Sequence, residues 1–265
     1  MAFSPDQFLL KNKVAIVTGA GGRPNSIGEA YCLGLAAAGA TVIAADLNGD
    51  GANDVAQKVQ RSGGRAIGVQ VDISKPDSIE AMAKKVIDEF GGIDILVNNA
   101  ALMVEMREGE GPMTAMNVSL ENWNRWLSIN VTGALLCARA VVPSMIARGG
   151  GSIVNQVSGG AFPAATVYGI TKLALVGVTT TLARELGPHK INVNAIAPGN
   201  TTSGAGESLV VPGTASRAAY EGMTVLKRSG APDELVGALT LLCSPAGSWI
   251  SGQVLHVDGG WIIRP

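Results

Sequence analysis

The amino-acid sequence predicts an α/β fold, a doubly wound parallel sheet of about seven strands with helices on both faces. Short apolar runs rich in β-formers alternate with longer helical stretches along almost the whole chain, which is typical of βαβ units. Several of the short runs are apolar throughout, as expected for parallel strands covered on both faces. The 265 residues contain no linker, internal repeat or low-complexity tract, so we predict a single domain over residues 1–265.

The alternation places each element in order along the chain. The strand candidates are 14–18, 41–45, 66–71, 93–98, 152–157, 191–196 and 253–257. The helical candidates are 27–38, 51–61, 76–90, 120–147, 167–186 and 232–243. Two stretches, 102–119 and 200–228, interrupt the alternation after a strand. Both begin at the edge where ligands bind in such sheets, and we expect the second to cover the substrate.

Composition and charge exclude several classes of function. Charged residues make up 15% of the chain, below the roughly 25% of typical soluble domains, which fits close helix–sheet packing or surface buried between subunits. A net charge of −1 without a basic run argues against nucleic acid or an anionic membrane as a partner.

Cys32, Cys137 and Cys243 form no disulfide or metal motif, and His189 and His256 lie in no metal-ligand pattern. Without a signal peptide or an uninterrupted apolar run of about 18 residues, we expect a cytoplasmic protein with no membrane span and no metal.

The stretch from Thr18 to Gly28 is typical of a nucleotide-binding loop. A strand runs directly into this glycine-rich stretch, and a helix follows it. Glycines let the backbone approach a pyrophosphate, whose charge then meets the helix N-terminus. We therefore predict cofactor contacts at Gly19, Ser26 and Ile27, with an ordinary strand–helix turn as the alternative.

Charged residues near the next strand ends bear on the choice of nucleotide. Asp46 ends the second strand, where a carboxylate accepts hydrogen bonds from a ribose hydroxyl and repels a ribose phosphate, which favours NAD over NADP. Arg23 in the glycine loop argues the other way, because it could pair with a phosphate. Asp72 and Ile73 follow the third strand at a position suited to an adenine, although a helix cap is the alternative for Asp72. NAD is the predicted cofactor.

Tyr168 and Lys172 stand four residues apart in a predicted helix, so their side chains share one face. A cation beside a phenol lowers the tyrosine pKa from about 10 towards the working range. Such a tyrosine suits general acid or base catalysis on an alcohol or a ketone. Pairs of this spacing also arise by chance on solvated helix faces, so the interpretation depends on the surrounding motifs.

The order of these motifs resembles that of the short-chain dehydrogenase/reductase family, from about Lys11 to Trp261. Besides the features above, the chain carries Asn98-Asn99-Ala100, Asn130, Ser158, Pro198-Gly199 and Val257-Asp258-Gly259-Gly260 in the family's order. The resemblance implies a Rossmann-type fold, a nicotinamide cofactor and a small-molecule substrate. It also implies a homotetramer or homodimer packed through the helices that hold Asn130 and Tyr168.

The resemblance further implies a role for each matching residue. Tyr168 matches the acid–base that exchanges a proton with the substrate oxygen, and Lys172 matches the cation that lowers its pKa and binds the nicotinamide ribose. Ser158 matches the serine that holds the reacting oxygen, and Asn130 the asparagine that fixes a water in the proton relay. The residues matched to the rest of the cofactor site are Asn99, Ala100, Pro198, Gly199 and Thr201, with Ser203 assisting. Without the resemblance, a loop hydroxyl or a strand-end amide also explains several of these residues.

Three departures from the family pattern affect these assignments. The glycine loop is longer than usual, with Ser26 where a glycine commonly stands, and Ala101 replaces the glycine of the Asn-Asn-Ala-Gly motif. The interval from Ser158 to Tyr168 is ten residues, shorter than the commonest spacing, which shortens the loop beside the substrate.

Together these features predict an NAD-dependent oxidoreductase that interconverts a secondary alcohol and a ketone on a hydrophobic alicyclic or aromatic molecule. An oxoacyl-thioester or steroid ketone reductase is the alternative within the family, and a non-catalytic nucleotide-binding regulatory protein is the alternative from another class. Reduction of a carbon–carbon double bond is disfavoured, because related reductases usually space the tyrosine and lysine more widely. Residues that could line an adaptable apolar pocket are Met103, Met106, Met113, Met116, Val210, Val211, Met223 and Trp261.

Overall fold

A computed structural model describes residues 4–103 and 114–263, and within these ranges seven strands form one parallel sheet. The strands are β1 Val14–Thr18, β2 Thr41–Asp46, β3 Arg65–Gln70, β4 Ile95–Asn98, β5 Gly151–Gln156, β6 Ile191–Pro198 and β7 Val254–Val257. Their order across the sheet is β3-β2-β1-β4-β5-β6-β7, so the order reverses between β1 and β4. This is the doubly wound arrangement that the sequence predicts, with strand ends displaced by two residues or fewer.

Helices connect the strands on both faces of the sheet. They are α1 Ile27–Ala37, α2 Gly49–Arg61, α3 Pro76–Phe90, α4 Leu120–Leu127, α5 Ala134–Ala147, α6 Val167–Leu186, α7 Gly204–Leu209, α8 Ala215–Met223 and α9 Val236–Cys243. The candidate 232–243 begins as a 3-10 turn, Pro232–Leu235, before α9. In the candidate 120–147, a π turn, Ser128–Gly133, separates α4 from α5.

Side-chain caps determine where several helices begin. The capping residues Ser26, Asn48, Ser119, Thr166 and Thr214 each accept a hydrogen bond from a backbone N–H in the first turn. As a result, α1 starts directly after the glycine loop and α6 carries Tyr168 in its first turn.

Alternate residues of the central strands point to opposite faces of the sheet and fill two cores. Val17 packs with Leu35 of α1 on one face, whereas Ile16 packs with Val141 of α5 on the other. Every residue of β1 is buried, which explains why its sequence is apolar throughout.

The amino edge of the sheet holds a buried carboxylate with several donors. Asp94, just before β4, is only 3% exposed. It accepts hydrogen bonds from the backbone N–H of Val14 at 2.9 Å, from Lys13 Nζ at 3.2 Å, and from two guanidinium nitrogens of Arg148 at 2.9 and 3.0 Å. These contacts join the starts of β1 and β4 to the end of α5.

The run Leu120–Ala147 is, of the described residues, the one helical stretch long and apolar enough by composition to cross a membrane. This stretch contacts α3, α6, β4 and β5, and 39% of its apolar window is buried. The absence of a membrane span, which the sequence predicts from its interrupted apolar runs, stays a prediction.

The segment 200–228 contains two short helices, α7 and α8, where the sequence predicted a loop. Ser203 caps α7 through the N–H of Gly206, and Thr214 caps α8 through the N–H of Arg217. Ser203 and Thr214 thus act as helix caps within the segment that interrupts the alternation.

Candidate active site

The carboxyl ends of β1, β4, β5 and β6 lie at one edge of the sheet, because all strands are parallel. The glycine loop follows β1, and Asn99 follows β4. The turn that contains Ser158 follows β5, and the segment 200–228 follows β6. The topology therefore brings four predicted site segments to one edge.

Asn99 and Thr18 hold the start of the glycine loop against the end of β4. Asn99 Nδ2 donates to the carbonyl oxygens of Thr18 and Gly19, both at 2.9 Å. Thr18 Oγ1 accepts from the backbone N–H groups of Asn99 and Ala100, both at 3.1 Å. Gly19 has a φ of +69°, and a Cβ there would lie 2.5 Å from Ala100 Cα. Only glycine fits this turn, because its φ is positive and Ala100 leaves no room for a side chain.

Asp46 and Ser26 fix the two ends of the glycine loop. Asp46 is 8% exposed, and its two oxygens accept from the backbone N–H groups of Gly21 and Asn48, both at 2.9 Å. Ser26 caps α1, and Ile27 opens that helix. Asp46 thus shapes the loop from the position predicted to meet a ribose.

The lengthened part of the glycine loop reaches the segment 200–228. Asn25 Nδ2 donates to the carbonyl oxygen of Thr202 at 2.8 Å, and Arg23 Nη1 donates to Ser208 Oγ at 3.2 Å. Asn25 has a φ of +52°, in the left-handed region that asparagine tolerates better than most residues. Arg23, considered as a phosphate partner, therefore binds α7 in this structure.

Asp72 closes the turn before α3 and does not cap the helix. Its Oδ1 accepts from the backbone N–H of Ser74 at 3.0 Å and from the Ser74 hydroxyl at 2.6 Å. The hydrogen bond from that hydroxyl lowers the pKa of Asp72. Helix α3 begins at Pro76 with Lys75 as its N-cap, so the cap alternative is wrong. The contact of Asp72 with an adenine stays a prediction.

Ser158, Tyr168 and Lys172 lie together beyond the end of β5. The Ser158 hydroxyl is close enough to Tyr168 to lower the pKa of the phenol, so the short interval does not separate the two residues. Lys172 Nζ lies 5.6 Å from the centroid of the Tyr168 ring. It donates to the carbonyl oxygen of Gln156 at 2.8 Å, and Lys172 is only 1% exposed.

Burial controls the ionisation of this pair. It raises the pKa of Tyr168 to about 12, although the hydrogen bond with Ser158 lowers it, and it lowers the pKa of Lys172 to about 7. The net pKa of Tyr168 is thus raised by burial, and a lowering of that pKa by Lys172 stays a prediction. Lys172 is buried as well, so both groups lose solvation of their charged forms.

Asn130 lies in the π turn between α4 and α5, a feature frequent at functional sites. Its Oδ1 accepts from the N–H of Leu102 at 2.7 Å, and its Nδ2 donates to the Leu102 carbonyl and to Thr171 Oγ1, both at 3.0 Å. The amide thus joins α6 to the chain leaving β4. In the same π turn, a Cβ on Gly133 would lie 2.8 Å from the carbonyl oxygen of Ile73. Ile73, which the sequence predicts near the adenine, therefore packs against this turn.

The chain after β6 is fastened to the end of β7. Pro198 ends β6, and the N–H of Gly199 donates to the carbonyl oxygen of Val257 at 3.2 Å. The hydroxyl groups of Thr201 and Ser203 lie 2.9 Å apart, and both residues are buried. These predicted cofactor residues therefore occupy a rigid turn at the same edge as Tyr168.

A shared lining of the predicted apolar pocket residues stays a prediction, because the structure does not describe all of them. Met106 and Met113 lie outside the described residues. Met116 is 95% exposed, and Val211 and Met223 are more than half exposed.

Three contacts of the site were not predicted from the sequence. The ring of Trp126 packs edge-to-face on Tyr168, with centroids 6.1 Å apart, and the partners of Asn130 and Lys172 are Thr171 and the Gln156 carbonyl. Thr171 stands three residues after Tyr168, so helix periodicity could have placed it. No local pattern identifies Trp126, because its contact with Tyr168 joins two separate helices, α4 and α6.

The comparisons with known proteins cover nearly the whole chain. Residues 21–262 match a family model described as enoyl-(acyl carrier protein) reductase. The chain is 44% identical to an uncharacterised oxidoreductase of Mycobacterium tuberculosis over 97% of this chain and all of that protein. It is 35% identical to the 7alpha-hydroxysteroid dehydrogenase of Escherichia coli over 98% of each chain. A solved structure of a 7alpha-hydroxysteroid dehydrogenase with NADH and 7-oxo glycochenodeoxycholic acid superposes with a TM-score of 0.88, at 34% identity over 99% of each chain.

Proposed function

Because this chain belongs to the short-chain dehydrogenase/reductase family, we propose that it is an NAD-dependent dehydrogenase that interconverts a secondary alcohol and a ketone. The observation that carries the proposal is the grouping of Ser158, Tyr168 and the buried Lys172 at one edge of the sheet. Two neighbouring hydroxyl groups can hold a single substrate oxygen and exchange a proton with it.

Each residue of the site has a task in this reaction. A bound nicotinamide dinucleotide supplies the hydride acceptor or donor. Tyr168 donates its proton to the ketone oxygen in reduction and, as a phenolate, removes the hydroxyl proton in oxidation. Ser158 orients the substrate oxygen, and protonated Lys172 stabilises the phenolate. Asn130 acts by fixing the backbone of Leu102 and the start of α6, since the described contacts already use its amide group.

The residues present suit a nicotinamide dinucleotide, and we propose NAD over NADP. The glycine loop leads into the N-terminus of α1, which suits a pyrophosphate, and Asp46 at the end of β2 accepts from the N–H of Gly21 in that loop. A carboxylate there accepts hydrogen bonds from ribose hydroxyls and repels a ribose phosphate. Arg23, the group that would favour the phosphate, is engaged by Ser208.

For the substrate we propose a hydrophobic alicyclic alcohol, with hydroxysteroids as the first class to test. The support is the full-length similarity to 7alpha-hydroxysteroid dehydrogenases. The family model instead suggests acyl thioesters, so an oxoacyl thioester is the second candidate. An enoyl thioester is disfavoured by the four-residue step from Tyr168 to Lys172.

The test is nicotinamide absorbance on apolar secondary alcohols, hydroxysteroids and both thioesters, with NAD and NADP in parallel. Tyr168→Phe should lower kcat by on the order of a hundredfold or more, because it removes the proton donor. Tyr31→Phe is the control, since it removes a tyrosine hydroxyl that is buried in α1 and donates to Gln156 Oε1. Near wild-type turnover by Tyr168→Phe would refute the assignment, and turnover with NADP alone would refute the argument from Asp46. NADH binding without any turnover would favour a non-catalytic nucleotide-binding protein.

A further inference from the structure

The connection from Ser158 to Tyr168 is short and conformationally strained. It spans ten residues, and Ala164 within it has a φ of +48°, in a region that non-glycine residues rarely occupy. Its first turn is closed by a hydrogen bond from the N–H of Gly160 to Ser158 Oγ at 3.1 Å. The position of the Ser158 hydroxyl therefore depends on this turn.

The indole of Trp261 lies directly on that turn. A Cβ on Gly159 would lie 2.6 and 2.7 Å from Cε3 and Cζ3 of Trp261, so the ring packs on the Gly159 backbone. The same indole packs against Tyr220 of α8, with ring centroids 5.0 Å apart. The Tyr220 hydroxyl accepts from the backbone N–H of Asn200 at 3.0 Å. One side chain thus contacts the Ser158 turn and the segment after β6.

Asp258 holds the backbone around Trp261. Its two carboxylate oxygens accept from the N–H groups of Gly260 and Ile262, both at 2.9 Å. A second contact joins the same two parts of the chain, because the rings of Phe162 and His256 lie 4.6 Å apart. The segment 256–262 therefore supports the connection at two separate points.

We propose that Trp261 is a positioning residue for Ser158. Its indole occupies the space beside the shortened connection and keeps the Gly159 turn in the conformation that directs the Ser158 hydroxyl to Tyr168. This inference rests on the proposed function, in which Ser158 holds the substrate oxygen. Trp261 acts through the backbone of Gly159 and takes no part in proton or hydride transfer.

The test compares Trp261→Ala with Trp261→Phe and with Trp249→Ala, a control that removes a 99% exposed tryptophan. Trp261→Ala should lower kcat by on the order of tenfold to a hundredfold, since misplacing a reacting group by about 1 Å has effects of that size. Its Kd for NADH, read by fluorescence, should stay at the wild-type value. Trp261→Phe should recover most of the loss, and Trp249→Ala should show none.

A reciprocal substitution at Gly159 tests the contact itself. Gly159→Ala should lower kcat on its own, because the added methyl group meets the indole. Combined with Trp261→Ala it should cause no further loss, since the obstruction is gone. Hydrogen exchange of the Gly160 amide, measured without cofactor, should be faster in Trp261→Ala and unchanged in Trp249→Ala.

The outcomes separate this inference from the proposed function. If Tyr168→Phe is inactive but Trp261→Ala keeps the wild-type kcat and Gly160 exchange, the positioning role is refuted and the proposed function stands. A lower melting temperature with unchanged kcat would show that Trp261 only stabilises the fold. If Tyr168→Phe is fully active, the proposed function itself fails.

Discussion

The buried charged side chains at the two edges of this sheet differ in their hydrogen-bond partners. At the amino edge, Asp94 is surrounded by donors from Val14, Lys13 and Arg148. At the carboxyl edge, Lys172 is equally buried, its hydrogen bond goes to a neutral carbonyl, and burial lowers its pKa to about 7. A paired charge stabilises the fold, whereas an unpaired one lies close to its titration point and is available for chemistry. The sheet thus has a stabilising carboxylate at its amino edge, and α6 places the buried Lys172, for which we propose a role in the reaction, at its carboxyl edge.

The largest expected effect comes from Lys172→Met. It should lower kcat by on the order of a hundredfold or more, because the phenolate of Tyr168 loses its stabilising cation. At neutral pH it should also raise the free energy of unfolding by on the order of a few kcal/mol, since a costly buried ammonium is replaced by an apolar chain. Turnover and urea unfolding measure the two effects. If Lys172→Met instead lowers the free energy of unfolding, Lys172 stabilises the fold as Asp94 does, and the prediction is wrong.

Asp94→Ala should lower the stability of the fold and leave kcat nearly unchanged. Removing the carboxylate leaves the Val14 N–H and the Arg148 guanidinium without their partner, so the free energy of unfolding should fall by about 3 kcal/mol. The kcat per folded molecule should stay within about twofold of wild type, because Asp94 lies at the opposite edge from the site. A kcat loss in fully folded protein would contradict this separation of the two edges.

A smaller effect is the pH dependence of stability. The pKa of Lys172 is about 7 in the folded chain and 10.5 as its ordinary value, so between these values the unfolded chain binds a proton that the folded chain does not. The contribution of Lys172 therefore makes the free energy of unfolding rise with pH across this window. The stability advantage of Lys172→Met should be greatest at pH 7 and below and should shrink towards pH 10. Urea titrations across this range measure it, and a constant advantage would contradict the shifted pKa.

The sequence predicted the sheet well because buried parallel strands leave uninterrupted apolar runs, such as Val14–Thr18. It also placed Ser158, Tyr168 and Lys172 near each other through a family pattern and helix spacing. It could not supply the Tyr168 pKa, because desolvation depends on packing from distant elements such as Trp126. The contact of Asn25 with Thr202 joins residues that no periodicity relates. Where local pattern determines structure the prediction succeeded, and where distant segments meet it failed.

The pairing of β1 with β4 has a consequence for the order of folding. Ala15 pairs with Ile95, eighty positions further along the chain, whereas β2 and β3 pair across one helix. Closing a long loop costs entropy before its contacts are gained, so distant pairings slow folding. The glycine loop has its partner Asn99 only after this distant pairing forms. A nascent chain of the first ninety residues would carry the whole glycine loop and still lack the support that shapes it, so the nucleotide site matures only once β4 has been synthesised and has inserted beside β1.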